Sequence, residues 1–116
     1  MTGDELAALL ERDDVALLDV RSRAEYEGET GYPCDPRQGH IAGAVHLDLN
    51  EIYAAGTDPE GIHGLLAGHG IPEDRPIVAY CHSGQRSELA AALLRQAGRD
   101  AVNYAGSWHE WSRRTE

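Results

Sequence analysis

Four apolar residues, Ile77-Val78-Ala79-Tyr80, run directly into the polar segment Cys81-His82-Ser83-Gly84-Gln85-Arg86-Ser87 and then into the helical stretch Glu88 to Ala97. The chain must therefore pass from a strand into a helix across one short turn. Leu89, Ala90, Leu93, Leu94 and Ala97 trace one face of that helix, and Gly98 closes it. A turn of this kind aims unpaired backbone N–H groups and the positive end of a helix dipole at one point, where a thiolate or another anion is the natural occupant. Cys81 stands at the first position of the turn, which points to anionic sulfur chemistry.

The same alternation recurs along the chain. Thr2 and Glu5 have the spacing of a capping box ahead of Leu6, Leu9 and Leu10, which predicts a helix from about Gly3 to Arg12. Val15-Ala16-Leu17-Leu18 is a continuous apolar run that suits a strand covered on both faces, ending at Asp19-Val20-Arg21. A second capping box, Ser22 to Glu25, opens a short helix through about Tyr26, and residues 27–39 are rich in Gly, Pro and polar groups, a long loop whose length hints at function. Ala44-Val45-His46-Leu47 reads as a strand, Asp48 with Glu51 opens a helical turn or two through Tyr53, and Thr57-Asp58-Pro59 starts a helix that stops at Gly70. Ala101 to Tyr104 is the last strand, and Ser107 with Glu110 forms a further capping box on a final helix carrying Trp108 and Trp111. The two tryptophans are expected to pack that helix onto the sheet. Strands alternating with helices predict a mostly parallel sheet with helices on both faces. Ligands of such sheets sit at the carboxyl ends of the strands, where Cys81, Arg21 and the long loop all fall.

The 116 residues suffice for one core, so residues 1–116 are expected to form one domain. No apolar run approaches the length of a membrane span, and no basic segment followed by an apolar one opens the chain, so a cytoplasmic location is expected. The net charge of −10 arises from 20 Asp and Glu against 10 Arg, with no Lys, which excludes nucleic acid as an expected partner. An anionic ligand must overcome that field locally, and Arg21, Arg23, Arg37 and Arg86 are the candidates. Cys34 and Cys81 read as free thiols, since a short chain that depends on disulfides carries more cysteines. His40, His46, His63, His69 and His109 show no metal-ligand spacing with either cysteine, so no metal is expected.

With the segment Cys81 to Ser87 in place, the sequence resembles the rhodanese family of sulfurtransferases. Leu17-Leu18-Asp19-Val20-Arg21 is similar to the family's first core strand, Gly39-His40-Ile41-Ala42-Gly43-Ala44 to its second signature, and Tyr104-Ala105-Gly106-Ser107-Trp108-His109-Glu110-Trp111 to its ending. The resemblance implies a rhodanese-like three-layer α/β sandwich. It also implies an active-site loop of six residues, Cys81 to Arg86. Related phosphatases and arsenate reductases carry one residue more between cysteine and arginine, so the shorter cradle fits a single sulfur better than a tetrahedral phosphate. Relatives usually have a short strand before the position of Thr2; its absence implies a late start at Met1 or a trimmed boundary, and an unpaired edge that favours dimers.

By this resemblance Cys81 takes the outer sulfur of thiosulfate or 3-mercaptopyruvate as a persulfide and passes it to a thiophilic acceptor: cyanide, a thiol or a sulfur-accepting protein. No cofactor is implied. The backbone N–H groups of about His82, Ser83, Gly84, Gln85, Arg86 and Ser87 would hold the terminal sulfur, with Gly84 letting the loop curl through positive φ. The alternative for Cys81 is an inert buried cysteine. Arg86 either clamps the donor's anionic end or pairs with a carboxylate behind the loop. Arg21 matches the position that binds the donor in two-domain relatives, against a salt bridge to Glu25 or Glu88. Asp19 is expected to fix its turn, and His40 to be structural. Ser83 matches a position that is serine in mercaptopyruvate-using relatives and lysine in thiosulfate-using ones. His82 is read as a solvated loop histidine, with acid or base action as the alternative. Cys34 is read as a bystander, with resolution of the persulfide as the alternative. Two other functions compete: a non-catalytic or regulatory binding module, which would usually have lost the cysteine, and phosphatase or arsenate-reductase chemistry, which the loop count opposes.

Overall fold

The computed structural model describes residues 1–56 and 58–114. Its centre is a parallel sheet of four strands, β1 (Ala16–Asp19), β2 (Val45–His46), β3 (Ile77–Tyr80) and β4 (Ala101–Asn103), in the order β2-β1-β3-β4. The two inner strands run in full register, Ala16 opposite Ile77 through Asp19 opposite Tyr80. Both therefore end at one level, and Cys81 emerges from that end beside Val20 and Arg21.

Side chains of successive strand residues leave a sheet on opposite faces. Leu18, Val20, Ile77, Ala79 and Cys81 point to one face, where they meet α3 (Leu49–Ala55), α4 (Pro59–Gly68) and α5 (Gln85–Gln96) through Ile52, Ile62, Leu66, Ala90, Ala91 and Leu94. Leu17, Val78 and Tyr80 point to the other, against α1 (Gly3–Glu11) and α6 (Ser107–Trp111) through Leu6, Trp108 and Trp111. This is the three-layer α/β arrangement expected, and it explains why the runs Val15–Leu18 and Ile77–Tyr80 are apolar at every position rather than alternating. The tryptophans do pack α6 onto the sheet, as read from the pattern.

Local signals succeeded where the partners are close in sequence. Thr2 and Ser22 form complete capping boxes with Glu5 and Glu25 ahead of α1 and of α2 (Arg23–Tyr26), and Asp48 and Asp58 cap α3 and α4. Thr57, included in the expected start of α4, lies outside the described residues. The second and last strands are shorter than expected, because Ala44, Leu47 and Tyr104 fall outside the ladder.

The last capping box is corrected. Gly106 precedes α6 with no side-chain cap, and Ser107 is the first helical residue, with φ of 54°. Its hydroxyl instead accepts from the Cys81 N–H (3.1 Å) and donates to the Tyr104 carbonyl (2.8 Å). Glu110 accepts from the Tyr104 hydroxyl (2.6 Å) and the Gly3 N–H (2.9 Å). Tertiary partners have claimed both ends of the motif, so it ties α6 to strand ends and to α1 rather than capping it.

Candidate active site

At the carboxyl end of β3 the chain turns through His82, Ser83 and Gly84 and enters α5 at Gln85, three residues before the helical stretch expected from Glu88. Gln85, Arg86 and Ser87 are thus the first helical turn, whose N–H groups have no intrahelical acceptor. Gly84 makes the turn possible: its φ is 94°, and a Cβ there would lie 2.6 Å from the Ala105 carbonyl oxygen. Behind the turn, α6 accepts its load, with the Trp108 and His109 N–H groups donating to the Cys81 and His82 carbonyls, each at 2.9 Å.

The turn closes on the Cys81 sulfur. Sγ accepts from the N–H of Gly84 (3.1 Å), the N–H of Ser87 (3.4 Å) and the Ser87 hydroxyl (3.3 Å). Burial works against a thiolate here. The Ser87 hydroxyl and the N–H groups of Ser87, Gly84 and Ser83 outweigh it, so the Cys81 pKa is lowered from the ordinary thiol value. The Ser87 hydroxyl also donates to Asn103 Oδ1 (2.6 Å), and the Asn103 amide in turn donates to the Gly84 carbonyl (3.0 Å). Ser87 has one proton for two acceptors, so its support of the sulfur grows when the sulfur carries charge. Ser87→Ala should therefore move the pH profile of Cys81 alkylation to higher pH and slow the reaction at neutral pH. An unchanged profile would mean that the backbone N–H groups suffice.

Of the four candidate arginines, Arg23 pairs with Glu27 and Arg37 donates to the Ser112 and Trp111 carbonyls, and the two that the resemblance places at the site, Arg86 and Arg21, are both engaged. Arg86 forms a two-pronged pair with Glu25, Nη1 to Oε1 at 2.9 Å and Nη2 to Oε2 at 3.1 Å. Burial alone would raise the Glu25 pKa, but the hydrogen bonds and charge of Arg86, with the Ser22 hydrogen bonds, together outweigh it and hold the pKa at about 2. Of the two readings for Arg86, pairing with a carboxylate behind the loop is the one the geometry adopts. Arg21 is 1% exposed and pairs neither with Glu25 nor with Glu88. Its Nε and Nη2 donate to Asp19 Oδ1 (3.0 Å) and Oδ2 (2.7 Å), and Nη2 also donates to the Gly39 carbonyl. The Tyr80 hydroxyl donates to Asp19 Oδ2 (2.8 Å) and accepts from the Ile41 N–H (3.0 Å). Arg21 also lies against the rings of Trp108 and Tyr80. This network fastens the ends of β1 and β3 to the long loop, the turn-fixing role expected of Asp19.

Ser83 and Gln85 are the exposed residues of the loop. His82 departs from expectation. It is buried, with its ring stacked on Tyr32 (centroids 3.7 Å apart) and Nε2 2.9 Å from Asp35 Oδ2. The long loop folds against the cradle and removes this histidine from water. Asp35 and Tyr32, its partners, carried no signal in the sequence beyond the length of that loop, and neither did Asn103. His40 is structural, as expected, stacked on Tyr26 and bonded through Nδ1 to the Tyr26 carbonyl (2.8 Å). Cys34 and Cys81 are both free thiols. Chain spacing does not reveal what folding assembles: ligating atoms of Cys34, Asp35, His82 and His109 all lie within 4.8 Å of one another.

The Rhodanese-like domain family matches residues 2–114. The thiosulfate sulfurtransferase of Azotobacter vinelandii is 36% identical over 93% of this chain and 41% of its own length. The 3-mercaptopyruvate sulfurtransferase of Escherichia coli K12 is 31% identical over 86% of this chain and 37% of its own. The chain thus spans about two fifths of the curated relatives it matches. The solved human single-domain sulfurtransferase TSTD1 superposes with a TM-score of 0.71 at 28% identity, covering 100% of this chain and 96% of that one.

Proposed function

The chain belongs to the rhodanese-like domain family, and from that premise we propose that it is a sulfurtransferase in which Cys81 carries a sulfane sulfur as a persulfide. The observation that carries this reading is the Cys81 sulfur, buried and met by N–H donors from the turn and the first turn of α5. In the first half-reaction the thiolate attacks the outer sulfur of a thiosulfate- or mercaptopyruvate-type donor. The Cys81–S bond forms, and the donor's bond to that sulfur breaks with its electron pair leaving on sulfite or on pyruvate enolate. In the second, cyanide, a thiol or an acceptor protein attacks the terminal sulfur and expels the Cys81 thiolate.

The roles of the other residues follow from their contacts. Gly84 and Ser87, with Ser83, hold the negative sulfur at each stage, the part an oxyanion hole plays for oxygen. Ser83 and Gln85 meet the donor at the rim. Arg86 anchors α5 to Glu25, and Arg21 frames the site through Asp19. We read residues 1–116 as one catalytic unit. Its thiols suit a reducing compartment such as the cytoplasm, and among the described residues no helix is long and apolar enough to cross a membrane.

Two half-reactions sharing one covalent carrier require ping-pong kinetics. Varying thiosulfate at several fixed cyanide concentrations should give parallel double-reciprocal lines. Intersecting lines would mean that donor and acceptor occupy the site together, against a persulfide released from its donor.

A further inference from the structure

We propose that Cys34, Asp35, His82 and His109 form a binding site for one divalent transition-metal ion of the zinc type, beside the Cys81 cradle. The inference does not depend on the reaction assigned to Cys81.

The four residues come from three separate segments: Cys34 and Asp35 from the long loop, His82 from the turn after β3, and His109 from α6. Asp35 Oδ2 lies 2.9 Å from His82 Nε2, Asp35 Oδ1 lies 3.6 Å from His109 Nδ1 and 3.9 Å from Cys34 Sγ, and no pair of ligand atoms exceeds 4.8 Å. Zinc bonds of about 2.0–2.3 Å in a tetrahedron place neighbouring ligand atoms about 3.3–3.8 Å apart. The observed separations bracket that range, so closing on an ion requires side-chain rotations and no refolding. One thiolate, one carboxylate and two imidazoles make a donor set that zinc accepts.

The inner half of the site is already built. His82 and Asp35 are buried, Tyr32 covers one face of the His82 ring, and the His109 ring meets it edge-on with centroids 5.6 Å apart. Cys34 and His109 are exposed and form the open side through which an ion would enter. The position also holds a cation now: Arg113 Nη1 donates to Asp35 Oδ1 (3.0 Å) and lies 3.2 Å from His109 Nδ1. Arg113 follows the end of α6, its side chain is 38% exposed, and it also donates to the Cys34 carbonyl (2.8 Å) and the His109 carbonyl, bonds it gives up to water when it yields to an ion by turning into solvent. Metal binding would then clamp the long loop and α6 to His82, the residue next to Cys81.

The test is titration of the full chain, stripped with a chelator and kept reduced, with Co²⁺ as the spectroscopic probe and Zn²⁺ as competitor. One ion per chain should bind with the intense visible bands of a tetrahedral site and a thiolate charge-transfer band, and Zn²⁺ should displace it and raise the melting temperature. Cys34→Ser should abolish the charge-transfer band. His109→Ala should weaken binding beyond the about 10–100-fold that losing an outer-sphere partner costs, and Arg113→Ala should tighten it by removing the competing cation. Both ligand positions are exposed, so circular dichroism should find both variants folded. The proposal is overturned by weak octahedral bands, by a charge-transfer band that survives Cys34→Ser or disappears in Cys81→Ala, or by affinity unchanged in His109→Ala.

Discussion

Cys81→Ala is expected to lower the rate of sulfur transfer from thiosulfate to cyanide by at least about 10⁴-fold, the scale on which enzymes that work through a covalent carrier lose turnover when the nucleophile is removed. The reason is local. The N–H groups of Gly84 and Ser87 converge on the Cys81 sulfur at 3.1 and 3.4 Å. The other thiol, Cys34, is exposed in the long loop with its sulfur facing the Asp35 carboxylate at 3.9 Å. Alanine leaves the cradle intact with nothing to hold, and the variant should fold as well as the parent. Steady-state assays with each donor check this. A residual rate within about tenfold of the parent would mean that the sulfur never passes through Cys81.

The largest effect on stability is expected at Asp19. Its carboxylate is fully buried and accepts from the Arg21 N–H, Nε and Nη2 and from the Tyr80 hydroxyl. Asp19→Ala strands a buried guanidinium and a buried phenol together. Breaking a buried pair by removing one partner costs about 3–5 kcal/mol, a large share of the about 5–15 kcal/mol that holds a domain of this size. Urea denaturation should show that loss, and the variant's melting temperature should fall by on the order of 10–20 °C. The double variant Asp19→Leu with Arg21→Met should recover part of it, because no charge is then left unpaired. A loss below about 1 kcal/mol for Asp19→Ala would show that water reaches the network. Denaturation together with steady-state kinetics separates two roles for Arg21. If Arg21→Ala raised the KM for the donor without loss of stability, the residue would bind the donor instead of framing the site.

How much of this was legible in the sequence depended on how far apart the partners are. The Cys81 turn could be read because its strand, cysteine and helix are contiguous, and the Thr2 and Ser22 caps because their partners lie three residues away. The sequence pattern places the start of α5 three residues late, since Gln85, Arg86 and Ser87 carry no apolar periodicity and become helical through the turn at Gly84. The sequence alone reads His82 as solvated because its burial is the work of Tyr32 and Asp35, 50 and 47 positions earlier, in a loop with no regular pattern. The Ser107–Glu110 motif failed for a related reason: Cys81, Tyr104 and Gly3 compete for its side chains. For Arg21 the sequence points to donor binding, with a salt bridge to Glu25 or Glu88 as the alternative, and the structure pairs it with Asp19, two residues away, a partner that neither reading names.

The central claim is that Cys81 becomes a persulfide, and intact-mass measurement tests it most directly. The reduced protein, incubated with thiosulfate, 3-mercaptopyruvate or glutathione persulfide and freed of small molecules, should gain the mass of one sulfur atom. Peptide mapping should place that sulfur on Cys81, and cyanide should remove it. No gain with any of the three donors, or a gain that persists undiminished in Cys81→Ala, would contradict the account.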